Sequence, residues 1–385
     1  MKFKVNSREL RDAIGKIIGV VPIRTTIPAI ENLLLEVSKK RLTISATDLE
    51  ISMSTTIDIM DDSEGRVTVG AKEFFEIVRN LEDSDIEVSV DDNLKLTLRT
   101  KSGSFKLAST SADEYPTLPS ISNDAETTSM TSDTLRGIIE KTLFAVSKDE
   151  HRRSMNGVLF QFAGKAAKIY STDGHRLVRI EDKTLVNKPL KKEANIQEKA
   201  LSLTAKSFKG SDVEVTLGDE HIRLRNKDTE LVARLIKEPH PDYETVIPSD
   251  IDNNKIMSVS RNELLEKVRR VAILSDSVNH LVKFAVDKDA LTISSEDTDR
   301  GEMGEERLQV QWNGGETMNI GFNSSYITEA MGSIDSSNVR FAFSTPTRAA
   351  TIKPVPDDGK VNSSDGSHQA PAQDILILVM PLRLS

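Results

Sequence analysis

The chain has 385 residues, a formal net charge of −9 and no cysteine. Its length predicts two or three domains, its net acidity excludes a surface that binds nucleic acid on every side, and the missing thiols exclude disulfides, thiolate metal sites and cysteine nucleophiles. The opening MKFKVNSREL lacks the apolar core of a signal peptide. The longest apolar run, residues 375–380 continuing past Pro381 to Leu382, is far short of a membrane span and reads as a buried strand. A soluble, cytoplasmic protein with no membrane partner is expected.

In chain order, a short strand leads to a helix that Asn6 or Ser7 can cap, its apolar face carried by Leu10, Ala13, Ile14, Ile17, Ile18 and Val21. Residues 33–37 and 42–44 alternate as strands of an antiparallel hairpin. A second helix opens at AKEF, residues 71–74, and continues through Ile77, Val78 and Leu81. Prolines at 116 and 119 punctuate the end of this first stretch of the chain. The plan then restarts: Ser132 can cap a helix of Leu135, Ile138, Ile139, Leu143 and Val146, and after a second proline-marked stretch, residues 241–248, Ser260 can cap one of Leu264, Leu265, Val268, Val271 and Ala272.

Three related phrases fix the period: TISATD at 43–48, KIYSTD at 168–173 and TISSED at 292–297, whose aspartates Asp48, Asp173 and Asp297 lie 125 and then 124 residues apart. The chain is therefore three copies of one α+β domain, 1–124, 125–252 and 253–385, with antiparallel sheets packed by helices and linkers near 120–127 and 248–256. AKEF is echoed by AKSF at 205–208, and SDIEV at 84–88 by SDVEV at 211–215. Nine residues separate the phrases in copy one and two, Lys209 and Gly210, in copy two, which predicts a shortened second helix there. Copy three regains a helix-length segment at 324–334. Residues 354–373, rich in Asp, Ser, Gly and Pro, read as a mobile hairpin tip.

Chemistry is poorly represented. The six histidines do not pair at metal-site spacing, and no nucleophile elbow, phosphate-binding loop or dinucleotide fingerprint occurs, so no metal, cofactor or catalytic residue is expected. A calcium loop starting at Asp297 would need glycine where Glu302 stands. The three repeated aspartates read as turn residues bonding local backbone N–H groups. Superposing the copies brings Lys16, Lys141 and Arg270 to one helical position on the polar face. A lysine on a polar helix face is ordinary, yet three in register form a stripe suited to phosphates without base reading. Lys148, Arg153 and Lys206 could extend it.

The phrases NGVLF at 156–160, STDGHRL at 171–177, PDY at 241–243, GFNSSY at 321–326 and VMPLRL at 379–384, together with the threefold plan, resemble the bacterial DNA polymerase III beta subunits, the sliding clamps. The resemblance spans the full length. It implies a non-enzymatic homodimeric ring of six clamp domains, helices inside and sheets outside, that encircles double-stranded DNA independently of sequence. Its implied partners are the DNA polymerase III catalytic subunit, the clamp loader and other clamp-binding-motif proteins. The implied peptide pocket comprises Met155, Thr172, Gly174, His175, Arg176, Leu177, Pro241, Val246, Asn323, Tyr326, Leu378, Val379, Met380, Pro381, Leu382 and Arg383. For DNA the resemblance adds Arg24, Lys72, Arg79 and Arg152, and for the dimer seam Phe105, Ile273 and Leu274. The rival reading from the repeat alone is a scaffold that binds peptide motifs without encircling DNA.

Overall fold

The computed structural model describes residues 1–119, 121, 124–356 and 373–384. Copy one runs β1 (Lys2–Asn6), α1 (Ser7–Ile17), β2 (Asn32–Ser38), β3 (Arg41–Thr47), β4 (Ile51–Asp58), β5 (Met60–Ser63), β6 (Gly65–Gly70), α2 (Ala71–Arg79), β7 (Asp85–Val90), β8 (Lys95–Arg99) and β9 (Ser104–Ser111). Copy two runs β10 (Glu126–Thr131), α3 (Ser132–Thr142), β11 (Gly157–Ala163), β12 (Ala166–Thr172), β13 (Arg176–Asp182), β14 (Glu193–Gln197), α4 (Glu198–Ser207), β15 (Asp212–Leu217), β16 (His221–Arg225) and β17 (Thr229–Arg234). Copy three runs β18 (Lys255–Ser260), α5 (Arg261–Ala272), β19 (Leu281–Asp287), β20 (Ala290–Asp297), β21 (Glu302–Gln309), β22 (Gln311–Trp312), β23 (Met318–Asn323), α6 (Ser324–Gly332), β24 (Asn338–Phe343), β25 (Ala350–Val355) and β26 (Gln373–Val379).

Each copy opens with strand, cap and helix, as the periodicity predicts. Asn6 accepts the N–H groups of Arg8 and Glu9 at the start of α1, and Ser260 that of Glu263 at the start of α5. In copy two the cap is Thr131, one residue before the expected Ser132: its Oγ1 accepts from Thr134 N at 3.1 Å. The apolar stripe of α1 buries Leu10, Ala13, Ile14 and Ile17, and that of α5 buries Leu264, Val268 and Val271. Each of these leucines, isoleucines and valines contributes roughly 1.5–3 kcal/mol by leaving water.

The second helix of copy two is not shortened. α4 has ten residues against nine in α2, and it starts directly after β14 as α2 does after β6. The AKSF phrase sits at the end of α4 whereas AKEF opens α2, so the likeness of the two phrases is accidental and strand ends set the register. Counted from the helix starts, Lys199 matches Lys72 and Lys206 matches Arg79.

The described residues gather into two compact units, Met1–Ile139 with Val186–Ile236, and Glu140–Leu185 with Lys237–Ser385. The first holds one antiparallel sheet in the order β10-β15-β16-β17-β4-β3-β2-β6-β9-β8-β7-β1-β5. There β4 of copy one pairs with β17 of copy two, Met53 opposite Leu231. In the second unit the strands run β11-β12-β13-β26-β25-β24-β18-β22, and β13 of copy two pairs with β26 of copy three, Val178 opposite Ile377. A separate sheet there runs β21-β20-β19-β23. Compactness thus follows the sheets, which run on from one copy into the next, and the middle copy is divided.

Of the segment expected to be a mobile tip, 357–372 lies outside the described residues, while Pro354 and Val355 end β25 and Gln373 opens β26. No helix among the described residues is long and apolar enough to cross a membrane.

Candidate functional site

The repeated aspartates make the same turn three times. Oδ1 of Asp48 accepts the N–H groups of Glu50 and Ile51, Asp173 those of His175 and Arg176, and Asp297 those of Asp299 and Arg300. This is the local role expected of a short carboxylate in a turn. Among the described residues no group of three or more His, Asp or Glu is placed to hold a metal.

In the second unit the Asp173 turn joins β12 to β13 and sits at the edge of an apolar floor. Leu159, Tyr170, Leu177, Tyr243, Leu376 and Leu378 form that floor, with Ile247 and Ala349 packed against it. Gly174 at the tip has φ of +89°, and a Cβ there would stand 2.8 Å from Arg152 Nη1. Glycine therefore satisfies both the left-handed backbone and the close approach. Thr172 closes the turn from below, its hydroxyl donating to Arg176 O at 2.6 Å and accepting from Gly174 N at 3.0 Å.

Copy three supplies the facing wall. Asn323 caps α6 and donates to Asn279 O at 3.0 Å, which fixes the first turn that carries Tyr326. The Tyr326 ring stacks on His175, centroids 6.4 Å apart, and burial raises its hydroxyl above the ordinary value. After β26 the chain is tied twice, Met380 N donating to His175 O and Leu382 N to Gly321 O, both at 2.8 Å. Met380 stays 41% exposed and Arg383 is exposed beyond it. On the outer side, a single turn of 3-10 helix, Tyr243–Val246, presents Val246, which is 55% exposed, with Pro241 before it. Met155, half-buried, belongs to a second short turn, Arg153–Met155.

Two expected pocket residues are placed otherwise. Val379 is fully buried: alternation along β26 turns Leu376 and Leu378 to the floor and Val379 to the opposite face. Arg176 is 8% exposed and already engaged, by Asp173 at 3.0 Å, by Glu329, by the Phe144 carbonyl, and over the rings of Phe144 and Tyr326. It braces the site rather than lining it. Conversely, the sequence reading passed over Tyr170 and Tyr243. A signal for Tyr170 existed, since it stands where the other copies carry Ser45 and Ser294.

The basic residues differ in their surroundings. Lys16, Lys141 and Arg270 share the tenth position of α1, α3 and α5, as expected. Yet Lys141 is 2.8 Å from Asp335, and Arg270 is 2.5 Å from Glu306, whose carboxyl is held down to about 2 by Arg270 and Lys267. Lys16 has no carboxylate partner among the described residues. Arg24, Lys72, Lys148 and Lys206 are exposed. Arg79 pairs with Glu76 at 2.6 Å and Arg153 with Glu238 at 3.4 Å. Arg152, expected on a DNA-facing surface, donates to Asp173 O at 3.2 Å and so belongs to the turn of the apolar site.

Two of the strands with an open edge among the described residues are β9 and β21. The Ser104 to Ala108 part of β9 pairs with β8 on one side, and β21 pairs with β20 alone among the described residues. Phe105 on the first edge is 39% exposed. Beside the second, Ile273 at the end of α5 is 75% exposed, and Leu274 comes within 3.2 Å of where a Cβ on Gly304 would lie.

Comparison with known proteins agrees along the whole chain. The family model for the N-terminal domain of the DNA polymerase III beta subunit matches residues 1–119, that for the central domain 129–242, and that for the C-terminal domain 244–363. A beta sliding clamp from Chlamydia pneumoniae is 30% identical over 332 residues, 86% of this chain and 89% of its own length. One from Pseudomonas aeruginosa is 29% identical over all of both chains. The crystal structure of the DNA polymerase III subunit beta from Pseudomonas aeruginosa superposes with a TM-score of 0.89 at 28% identity, each chain covered completely. A sliding clamp from that organism bound to griselimycin gives 0.88 at 27% identity, again over both whole chains.

Proposed function

The chain belongs to the bacterial DNA polymerase III beta subunits, the beta sliding clamps, and on that premise we propose that two copies close head to tail into a ring around duplex DNA. The ring performs no chemistry. It tethers the DNA polymerase III catalytic subunit, and it is opened by a clamp loader and shared with other proteins that carry a clamp-binding motif. Three clamp domains per chain divide near residues 124 and 252, and the protein works in the cytoplasm, where its DNA is.

Strand pairing carries this reading. The third strand of each copy's first hairpins, β4 or β13, pairs with the last strand of the following copy, β17 or β26. Copy three's equivalent, β21, and copy one's equivalent last strand, β9, are left with open edges. A head-to-tail partner satisfies both, and two such seams close the assembly with no growing end. The register follows from the repeat. Met53–Leu231 and Val178–Ile377 are equivalent pairs, and the same position across the seam is Gly304 of one chain opposite Phe105 of its partner. A glycine facing an exposed phenylalanine leaves room for the ring, which would cover Ile273 and Leu274.

The basic residues then act on the duplex weakly. Lys16, Arg24, Lys72, Lys148 and Lys206 meet phosphates without direction, and the internal pairing of Lys141 and Arg270 keeps the lining mild, as sliding requires. The apolar site of the second unit takes a partner's peptide with a leucine or phenylalanine anchor, since its floor is apolar and its rim carries a few polar groups and the adaptable Met380.

The chain's lack of cysteine makes a direct test possible. With Ser104→Cys and Glu305→Cys in one chain, the proposed register sets the two positions opposite each other across each seam, within the Cα separation a disulfide accepts. Oxidation of rings already loaded on DNA should yield a covalent dimer that stays on circular DNA in high salt and slides off after linearisation. Absence of the cross-link, or equal loss from circular and linear DNA, would refute the ring.

A further inference from the structure

On the reading that the second unit's apolar site takes a partner peptide, we propose that Glu244 is a positioning residue of that site, a carboxylate that sets where the outer wall stands without touching the ligand. The wall is the segment from Pro241 to Pro248, whose one regular element is the four-residue turn Tyr243–Val246. A single turn has too few internal bonds to hold its own shape. Inside the segment there are three: Asp242 Oδ1 accepts from Glu244 N at 3.1 Å, Thr245 Oγ1 donates to Asp242 O at 2.7 Å, and Ile247 N donates to Glu244 O at 3.3 Å.

Besides Ile247, which packs against the floor, two neighbouring side chains attach the segment to the sheet. Tyr243 packs its ring against Tyr170, centroids 5.2 Å apart and tilted by 31°, an apolar contact that sets no direction. Glu244 adds directed bonds. Its carboxylate accepts from Lys168 Nζ at 2.7 Å and from Tyr170 Oη at 2.6 Å, and Arg179 Nη1 stands 3.3 Å away. Lys168 and Tyr170 come from β12 and Arg179 from β13, so one carboxylate is bound to both strands beneath it. Glu181 and Asp374 share the same cations. Burial would raise the Glu244 carboxyl, but the Lys168 and Tyr170 hydrogen bonds and the Arg179 charge prevail and hold it at about 2. Val246 follows two residues later on the same turn, and its exposed side chain goes where Glu244 fixes the backbone.

The test uses the full-length protein and a fluorescein-labelled hexapeptide ending in Leu-Phe. Glu244→Ala should weaken binding about tenfold, equivalent to roughly 1.4 kcal/mol, while Glu244→Gln, which can still accept from Tyr170, should recover part of the loss. Amide exchange should rise in residues 242–247 well before the rest of the second unit, with only a small fall in the unfolding midpoint. Wild-type affinity in Glu244→Ala would overturn the inference. So would faster exchange throughout the second unit, which would make Glu244 a general stabiliser. If wild-type protein fails to bind the peptide although Glu244→Ala still loosens 241–248, the pocket reading falls and takes this inference with it, leaving only the anchor.

Discussion

The turn at Asp173 and the turn at Asp48 are the same structure with different surroundings, and the contrast shows how a repeated scaffold gains a site. Both aspartates bond the backbone two and three residues on. Copy two then closes over the turn of copy one: Lys199 of α4 reaches Asp48 at 2.6 Å and the Val20 carbonyl at 2.9 Å, and Arg234 lies 3.6 Å from Glu50. Where copy two has Gly174, copy one holds Leu49 in the left-handed region at φ of +78°. Its apolar cluster is also small, Leu34, Ala112 and Tyr115 with Leu118 against them. In copy two, Asp173 spends its second oxygen on Arg176 of its own turn, Ser325 replaces the lysine of the facing helix, and Tyr170 widens the floor. Removing a cross-link, opening the tip and enlarging the floor are three separate changes, and each can be reversed.

The largest effect should come from the floor. Tyr170→Ser imports the residue of copies one and three, and should cost about 3 kcal/mol of stability in the range of large-to-small core changes, read by denaturant unfolding, and abolish peptide binding. Full retention of binding would mean that the floor is not what separates the two turns. Gly174→Leu imports the tip of copy one. It meets Arg152 and a backbone that side chains rarely adopt, and should weaken peptide binding about tenfold, with a stability loss of roughly 1–2 kcal/mol from the strained φ. Normal binding in that variant would show that the tip is not on the ligand's path.

The smallest effect is a pH dependence confined to one side. The Glu244 carboxyl is depressed from about 4.5 to about 2 in the folded chain, so its contribution is fully present above about 4.5 and is lost as pH falls toward about 2. Exchange of residues 241–248 should therefore be flat from neutral pH down to about 5, after correction for intrinsic rates, and accelerate below it. The Asp48 turn is the comparison; equal acceleration of both would remove the distinction.

Much of this was legible in the residues, because it is local. Helical spacing located α1, α3 and α5, and the turn aspartates bond where short carboxylates in turns do. The period of the phrases revealed three domains. What failed was whatever depends on partners far along the chain. Lys141 and Asp335 are 194 residues apart, and nothing near Lys141 signals that its charge is engaged. The AKSF phrase misplaced α4 because a chance likeness of four residues outweighed the strand that actually delivers the helix. Val379 was a readable error: a strict alternation with Leu378 assigns it to the other face.

The crowded guanidinium of Arg176 has a mechanical meaning. It is shared by the copy-two turn, through Asp173 and the Phe144 carbonyl, and by the copy-three helix, through Glu329 and the Tyr326 ring. Two pieces of separate repeats are thereby riveted at one point, so that a pull on Tyr326 is felt at Asp173 and the walls move as a single part. Take the rivet out, and two carboxylates that had leaned on one cation are left as neighbours of like charge, pushing apart the surfaces they had joined.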